Sequence, residues 1–239
     1  MLLRYLDLLF ADPERFLQAV ALFLATGGVA LLVGITVHEF SHAWVADRMG
    51  DPTARRQGRL TLNPLAHLDP LGTLMLVLVG FGWGRPVPVN PWNLGRDPLK
   101  GHALVALAGP ASNLLTAFLV GLAVRADLVP WRSPFFLLRS PFASPEEYLA
   151  VLAGFLVLYS LVLAVFNLVP LFPLDGSRVL LGLLPRDLAL SYARWEAMGP
   201  GLLLLLIFLD WFAGLNLLGR FLFGASDLLA RLLVGRPLL

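Results

Sequence analysis

Residues 16–42 read FLQAVALFLATGGVALLVGITVHEFSH, and this stretch decides which kind of fold the chain can adopt. Residues 16–37 carry no charge over 22 positions, and about 20 mostly apolar residues suffice for a helix to cross a membrane. The last five residues match the pattern H-E-x-x-H. Because positions four apart share one face of a helix, His38 and His42 can bind one metal ion, with Glu39 beside it to handle a proton. The stretch predicts a metal-dependent hydrolase built within or at the edge of a bilayer.

The composition also indicates a membrane protein. Of the 239 residues, 58% are hydrophobic and 14% are charged, whereas a soluble domain averages about 25% charged residues. The net charge is only +2 and no basic run occurs, so we expect no nucleic acid as a partner. The chain has no cysteine, which excludes disulfides and cysteine nucleophiles. A metal site must therefore use histidine and carboxylate ligands.

The other hydrophobic runs predict an all-α polytopic membrane protein with about five to six transmembrane helices, in a single domain over residues 1–239. The first run could break into two helices at Gly27 and Gly28. Pro170 and Pro173 must distort the end of a later run, because proline cannot continue a helix. The predicted spans after the motif helix are 101–124, 148–174, 199–219 and a short or tilted 221–234.

The segment between the motif helix and the next span has a different pattern. Residues 59–63 alternate polar and apolar side chains, as a short strand does. Residues 70–84 are uncharged and glycine-rich but too short for a comfortable crossing. Prolines force residues 85–91 into an extended conformation. We therefore predict a short re-entrant or β-hairpin element here.

The distribution of lysine and arginine predicts the orientation of the chain. With the N-terminus outside and five crossings, the inner segments 47–100, 175–195 and the C-terminal tail hold twelve of the 18 basic residues. The outer segments hold six. This bias follows the positive-inside rule. It predicts a multi-pass protein of the cell membrane with its metal site toward the cytoplasm.

Two histidines do not complete a zinc site, since a catalytic site has three protein ligands and one open position. The third ligand could be His67, His102 or a carboxylate. Asp175 is the best carboxylate, because it follows the longest apolar run, where an acid has no evident structural purpose. The alternative for Asp175 is a capping acid ahead of a short helix that starts near Ser177. Spacing alone leaves both possibilities open.

Further motifs give the chain a family resemblance. The H-E-x-x-H motif on a membrane helix, together with NLVPLFPLDG at residues 167–176, resembles the site-2 proteases, which are intramembrane zinc metalloproteases. Three more stretches fit that family: GRLTLNP at 58–64, GRPVPVN at 84–90 and AGPASN at 108–113. We expect neither the PDZ nor the CBS domain that some members carry, because the loops between the predicted spans are short. The resemblance therefore implies a minimal catalytic core.

The resemblance also implies roles for individual residues. One zinc ion per chain would be bound by His38, His42 and Asp175. Glu39 would be the catalytic base, and Asn167 would donate a hydrogen bond to the substrate carbonyl or the oxyanion. The remaining motif residues, His67, Asp69, His102 and Asn113, are expected to be structural.

The implied reaction is the hydrolysis of peptide bonds in or near transmembrane segments. A substrate helix must unwind first, because its carbonyls are hydrogen-bonded within the helix. Exposed backbone could then pair with it by strand addition. The candidates for that contact are Leu60, Thr61, Leu62, Asn63, Val87 and Val89. The expected partners are a transmembrane protein substrate and the lipid bilayer. A metal transporter that uses the same three ligands, or an inactive relative, is the alternative.

Overall fold

The computed structural model describes residues 12–72, 84–134 and 144–238. Within these residues the chain forms nine α-helices and no β-strand, so the predicted helical fold is confirmed for this part of the chain. The helices are α1 (Pro13–Phe23), α2 (Val29–Arg48), α3 (Thr53–Arg56), α4 (Pro98–Arg125), α5 (Pro145–Asn167), α6 (Asp175–Leu183), α7 (Arg186–Ala193), α8 (Gly199–Phe212) and α9 (Leu217–Leu233).

Helix α1 continues into α2 without a break. The side chain of Asp12 caps α1 by accepting a hydrogen bond from the backbone N–H of Arg15 at 3.1 Å. Between the two helices, Leu24–Gly28 forms a π-helical turn. The glycine pair therefore widens the helix instead of breaking it. As a result, Pro13–Arg48 is one helical run of 36 residues, long and apolar enough to cross a membrane.

Two further helices, α4 with 28 residues and α5 with 23, are also long and apolar enough to cross a membrane. Each has a capped start, because Asp97 accepts the N–H of Lys100 and Ser144 accepts that of Glu147. Helices α8 and α9 pass the same test only as a pair bent by 98°. The described residues thus contain three membrane-length helices, or four if the bent pair is one span. The predicted number of five to six is not confirmed.

The prediction of one span over residues 199–219 is wrong, because α8 ends at Phe212 and the chain turns sharply. Gly214 and Asn216 have φ angles of +63° and +51°, in the left-handed region. The carboxylate of Asp210 then accepts the backbone N–H groups of Leu217 and Leu218, at 2.6 and 3.2 Å. Asp210 at the end of one helix therefore caps the start of the next.

Residues 59–63 do not form the predicted strand. Local side-chain bonds hold this loop instead: the Thr61 hydroxyl accepts the N–H of Asn63, and the Asn63 side chain accepts that of Leu65. Such bonds compete with a strand ladder for the same backbone groups. Among the described residues, the isolated antiparallel bridge lies between Leu68 and Gly84. Most of the predicted re-entrant or β-hairpin element falls on residues 73–83, which lie outside the described residues.

The apolar core lies where α2, α4, α5 and α9 meet. Alanines allow the helices to approach closely, and larger side chains of α5 fill the space between them. This core includes Ala30, Ala117, Ala230, Val151, Phe155, Leu158 and Leu161. Helix α8 has the opposite character, since Leu204, Phe208 and Trp211 are 58%, 54% and 79% exposed. An apolar outer surface of this kind suits lipid rather than water. Helix α4 also packs against both α2 and α6.

Candidate metal centre

Helix α2 and the first residue of α6, which are far apart in sequence, meet at one buried point. His38 and His42 lie one turn apart on α2, and both are buried. Their Nε2 atoms lie 3.0 and 3.2 Å from the same carboxylate oxygen, Oδ2 of Asp175. Of the described residues, these three form the group of His, Asp and Glu side chains that could hold a metal ion, with one ligand atom each. The structure thus brings Asp175, and neither His67 nor His102, to the histidine pair.

The turn between α5 and α6 positions Asp175. Helix α5 ends at Asn167, seven residues before the predicted end of the span, because the chain ahead contains Pro170 and Pro173. Asp175 is then the first residue of α6. A Cβ on the following residue, Gly176, would lie 2.3 Å from the carbonyl oxygen of Leu168. The glycine therefore lets α6 start directly against the end of α5.

The alternative role for Asp175, as a helix cap, does not match its contacts. The N-cap position of α6 is Leu174, and no side chain caps the helix there. The hydroxyl of Ser177 instead donates to the carbonyl of Leu174 at 2.6 Å. The Asp175 carboxylate contacts the two histidines, as a ligand would.

The dimensions of the cluster fit a tetrahedral zinc ion. Zinc binds histidine nitrogen and carboxylate oxygen at about 2.0–2.2 Å, which separates neighbouring ligand atoms by roughly 3.3 Å. The separations of 3.0 and 3.2 Å are close to that value. Gly109 of α4 leaves the space beside these atoms open. A Cβ there would lie 2.4 Å from Nε2 of His42 and 2.6 Å from Nε2 of His38.

Helix α4 also contacts the outer nitrogens of both histidines. The Nδ1 atom of His42 lies 2.7 Å from the carbonyl oxygen of Val105, which can only accept a hydrogen bond. The Nδ1 atom of His38 lies 3.4 Å from the side-chain amide of Asn113, a fully buried residue. The sequence predicts only a structural role for Asn113. The four-residue spacing of Val105, Gly109 and Asn113 is the signal that could have revealed this shared face of α4.

Glu39 is half-buried beside the cluster and is held by an extended segment. One carboxylate oxygen, Oε2, accepts the backbone N–H of Val87 at 3.1 Å. Val87 belongs to residues 85–90, which we call the strap. The guanidinium of Arg59 donates to the carbonyls of Arg85 and Pro86 on the strap. Burial lowers the pKa of Arg59, while the charge of Glu39 acts in the opposite direction.

The far end of the strap is anchored by Asp51, which is fully buried just after α2. Its carboxylate accepts the N–H of Asn90 at 2.7 Å and the side-chain amide of Asn93 at 2.9 Å. Burial acts to raise the pKa of Asp51, but donors from Thr53, Asn93 and Asn90 outweigh it and lower the pKa below its usual value. The strap is therefore fixed at both ends relative to the motif helix.

The predicted substrate-contact residues lie on two segments. Val87 and Val89 are on the strap, half-buried. Leu60, Thr61, Leu62 and Asn63 are on the loop before the 3₁₀ turn Pro64–Ala66. Leu62 and Pro64 line an apolar cavity of about 340 Å³ against Val33 and Val37 of α2. The Nε2 atom of His67 lies 2.8 Å from the Thr61 carbonyl oxygen, which can only accept, so His67 donates a hydrogen bond to this loop.

Asn167 is the last residue of α5, and its side-chain amide donates to the carbonyl of Leu163 in the same helix at 3.0 Å. Its predicted contact with substrate stays a prediction. Asp69 accepts the N–H of Gly72 at 2.7 Å, a local bond that agrees with a structural role. His102 lies in the first turns of α4, outside the three-residue group.

The chain is similar to named zinc metalloproteases. It is 40% identical over 193 residues to "Putative zinc metalloprotease YwhC" of Bacillus subtilis (strain 168), which covers 78% of this chain and 81% of that protein. It is 35% identical over 173 residues to "Putative zinc metalloprotease Rip2" of Mycolicibacterium smegmatis, covering 70% of this chain and 60% of the relative. The protein of the same name from Mycobacterium tuberculosis (strain H37Rv) is 35% identical over 155 residues, or 53% of its length. No family model and no solved structure matches the chain.

Proposed function

The chain belongs to the site-2 protease family of zinc metalloproteases, and from this premise we propose that it is an intramembrane endopeptidase. Its substrates would be membrane proteins cut in or near a transmembrane segment. The observation that carries the proposal is the meeting of His38, His42 and Asp175 at the end of a membrane-length helix, with Glu39 next to them. A buried site on such a helix suits a substrate that is itself in the membrane.

The proposed metal is one zinc ion per chain, held by the Nε2 atoms of the histidines and by the Asp175 carboxylate. When bound, zinc supplies Lewis acidity and lowers the pKa of a bound water to about 7. Glu39 follows His38 on α2, and its carboxylate is held by the N–H of Val87 on the strap. In the proposed reaction, Glu39 accepts the proton of the attacking water and returns it to the leaving amine.

Asn167 is the proposed donor to the carbonyl oxygen of the scissile bond. A side-chain amide has two N–H donors, and the bond to the Leu163 carbonyl uses one of them. The other remains to stabilise negative charge that develops on the substrate oxygen. The position of Asn167 at the end of α5, just before the turn that leads to Asp175, supports this role.

The strap and the loop at residues 60–63 are the proposed contacts for an unwound substrate. The Val87 N–H is already bonded to Glu39, so the strap would offer the substrate its other backbone groups, including those of Val89. The apolar cavity beside Leu62 would accept an apolar side chain of the substrate. A substrate bound there would lie close to Val37, the residue that precedes His38.

We place the protein in the cell membrane as a multi-pass protein, with the site toward the cytoplasm and one catalytic domain over residues 1–239. The apolar helices support the membrane location, and the distribution of arginine supports the orientation. The partners in this proposal are the bilayer and a transmembrane protein substrate.

The substitution Glu39→Gln tests the proposal. The purified protein in detergent would be incubated with a single-span reporter protein whose membrane segment contains glycine and proline near its centre. We expect the variant to keep its zinc and to lose cleavage by a factor of about 100 or more, since general base catalysis contributes 10²–10⁴-fold. Glu146→Gln, at an exposed position in the first turn of α5, is the matched control and should cleave normally. Cleavage by Glu39→Gln at the wild-type rate would refute the role of Glu39.

A further inference from the structure

One face of α4 forms the back of the metal centre. Val105, Gly109 and Asn113 follow one another at intervals of four residues, so they lie along a single side of the helix. All three are buried. Gly109 is next to the two Nε2 atoms, while Val105 and Asn113 contact the two Nδ1 atoms. Each residue of this face therefore contacts a predicted metal ligand.

The contact with Val105 fixes the proton position on His42. A carbonyl oxygen only accepts hydrogen bonds, so Nδ1 of His42 must carry the proton when the ring is neutral. Nε2 is then left with a lone pair directed at Asp175 and the metal position. A histidine that binds metal through one nitrogen usually donates the other N–H in this way, which fixes the orientation of the ring.

The Nδ1 atom of His38 instead contacts the side-chain amide of Asn113, which can either donate or accept a hydrogen bond. With the amide nitrogen of Asn113 facing Nδ1, the ring carries its proton on Nε2 and donates it to Asp175 at 3.0 Å. That arrangement blocks metal binding through Nε2. It also leaves Oδ1 of Asn113 buried with no hydrogen-bond partner among the residues that the structure describes.

A half-turn of the amide group resolves both problems. The oxygen of Asn113 then faces Nδ1 of His38 and accepts a hydrogen bond from its N–H. Nε2 of His38 is left with a lone pair, as Nε2 of His42 already is. The buried oxygen gains the partner that it lacks in the other orientation.

We propose that Asn113 is a positioning residue that selects the metal-binding tautomer of His38 by accepting a hydrogen bond from its Nδ1–H. Together with the Val105 carbonyl, it orients both histidine ligands from α4. This inference rests on the proposed zinc site and deepens it. It concerns zinc binding alone, so it stands or falls independently of whether any substrate is cleaved.

The first test is the zinc affinity of two variants, measured by competition with a chelator and supported by the visible spectrum of the cobalt-substituted protein. Asn113→Leu removes the acceptor at similar volume and should weaken zinc binding 10–100-fold. Asn113→Asp keeps an acceptor for Nδ1–H and should restore the affinity to within threefold of the wild type. A residue that merely packed helices would behave in the opposite way, because a buried carboxylate without a role is worse than leucine.

Thr116→Val, one turn along α4, is the matched control, because the Thr116 hydroxyl donates to the Ser112 carbonyl of its own helix. Its zinc affinity should not change. The proposal is overturned if Asn113→Leu binds zinc within threefold of the wild type, or if folded Asn113→Asp is as weak as Asn113→Leu.

A second measurement tests the tautomer of His38 directly and needs no variant of Asn113. In the zinc-loaded wild type labelled with ¹⁵N at histidine, the His38 ring should show a protonated Nδ1 and a metal-bound Nε2. The spectrum of His38→Ala identifies which signals belong to that ring. A zinc-loaded His38 without a proton on Nδ1 would overturn the proposal.

Discussion

Gly109→Ala should abolish zinc binding through a single added methyl group. The Cβ would lie 2.4 Å from Nε2 of His42 and 2.6 Å from Nε2 of His38, whereas ordinary contact begins near 3.4 Å. Relief of this overlap requires a displacement of about 1 Å, several times the tolerance of about 0.2 Å for a zinc–ligand distance. Both neighbouring atoms belong to buried histidine side chains, so neither can swing away into solvent.

We expect the zinc affinity of Gly109→Ala to fall at least 100-fold, which corresponds to about 2.8 kcal/mol. Chelator competition on the purified protein measures it, and peptide cleavage should fall in parallel. The matched control is Gly224→Ala in the interior of α9, where no atom lies within 4 Å of the added Cβ. That control should bind zinc normally and gain up to about 1 kcal/mol of stability from the better helix former. Zinc binding by Gly109→Ala within threefold of the wild type would show that the face of α4 does not border the metal position.

Three further results are expected. The pKa of Asp51 is lowered by folding, so its contribution to stability is complete above the unfolded pKa of about 3.9 and is lost as the pH falls through the folded pKa. Asp51→Asn should therefore have a lower Tm than the wild type at pH 7 and lose less stability on acidification. Thermal unfolding of the metal-free proteins between pH 3 and 7 measures both effects. Asp210→Ala should lower the free energy of unfolding by about 0.5–2 kcal/mol through loss of the α9 cap, seen as earlier proteolysis near residue 214, whereas an unchanged pattern would contradict the capping role. At a free zinc concentration of 100 times the dissociation constant, bound zinc should contribute about 2.7 kcal/mol to stability. Removal of the zinc with a chelator should therefore lower the Tm of the wild type, with no such shift in His38→Ala.

The sequence predicted the helices best where apolar runs and caps agree. The 28 residues of α4 follow a capping aspartate and contain an uncharged run of membrane length, and both signals are local. The turn after α8 was missed because Asp210 looked like an isolated acid within an apolar run. Its two hydrogen bonds go to residues seven and eight positions later, beyond the range of helical periodicity. The strand predicted at 59–63 failed because alternation of polar and apolar residues does not reveal the local bonds of Thr61 and Asn63.

The candidate site was predicted in part. The spacing of His38 and His42 places both on one face of a helix, so the pair was readable from the sequence. Asp175 lies 137 residues from His38, and spacing alone could not choose between a ligand and a helix cap. The contacts of Val105 and Asn113 with the histidines depend on the position of α4 beside α2, which only the packed fold supplies.

The bond between Glu39 and the strap has a stereochemical consequence. The Val87 N–H takes one of the acceptor positions of Oε2, which leaves Oε1 as the oxygen not bonded to the strap and the one we expect to carry the proton of the proposed reaction. In the proposed reaction, the attacking water and the departing nitrogen would then both approach the carboxylate at Oε1. The backbone of Val87 thereby makes the two oxygens of Glu39 unequal: one is bonded to the strap, and the other remains for proton transfer.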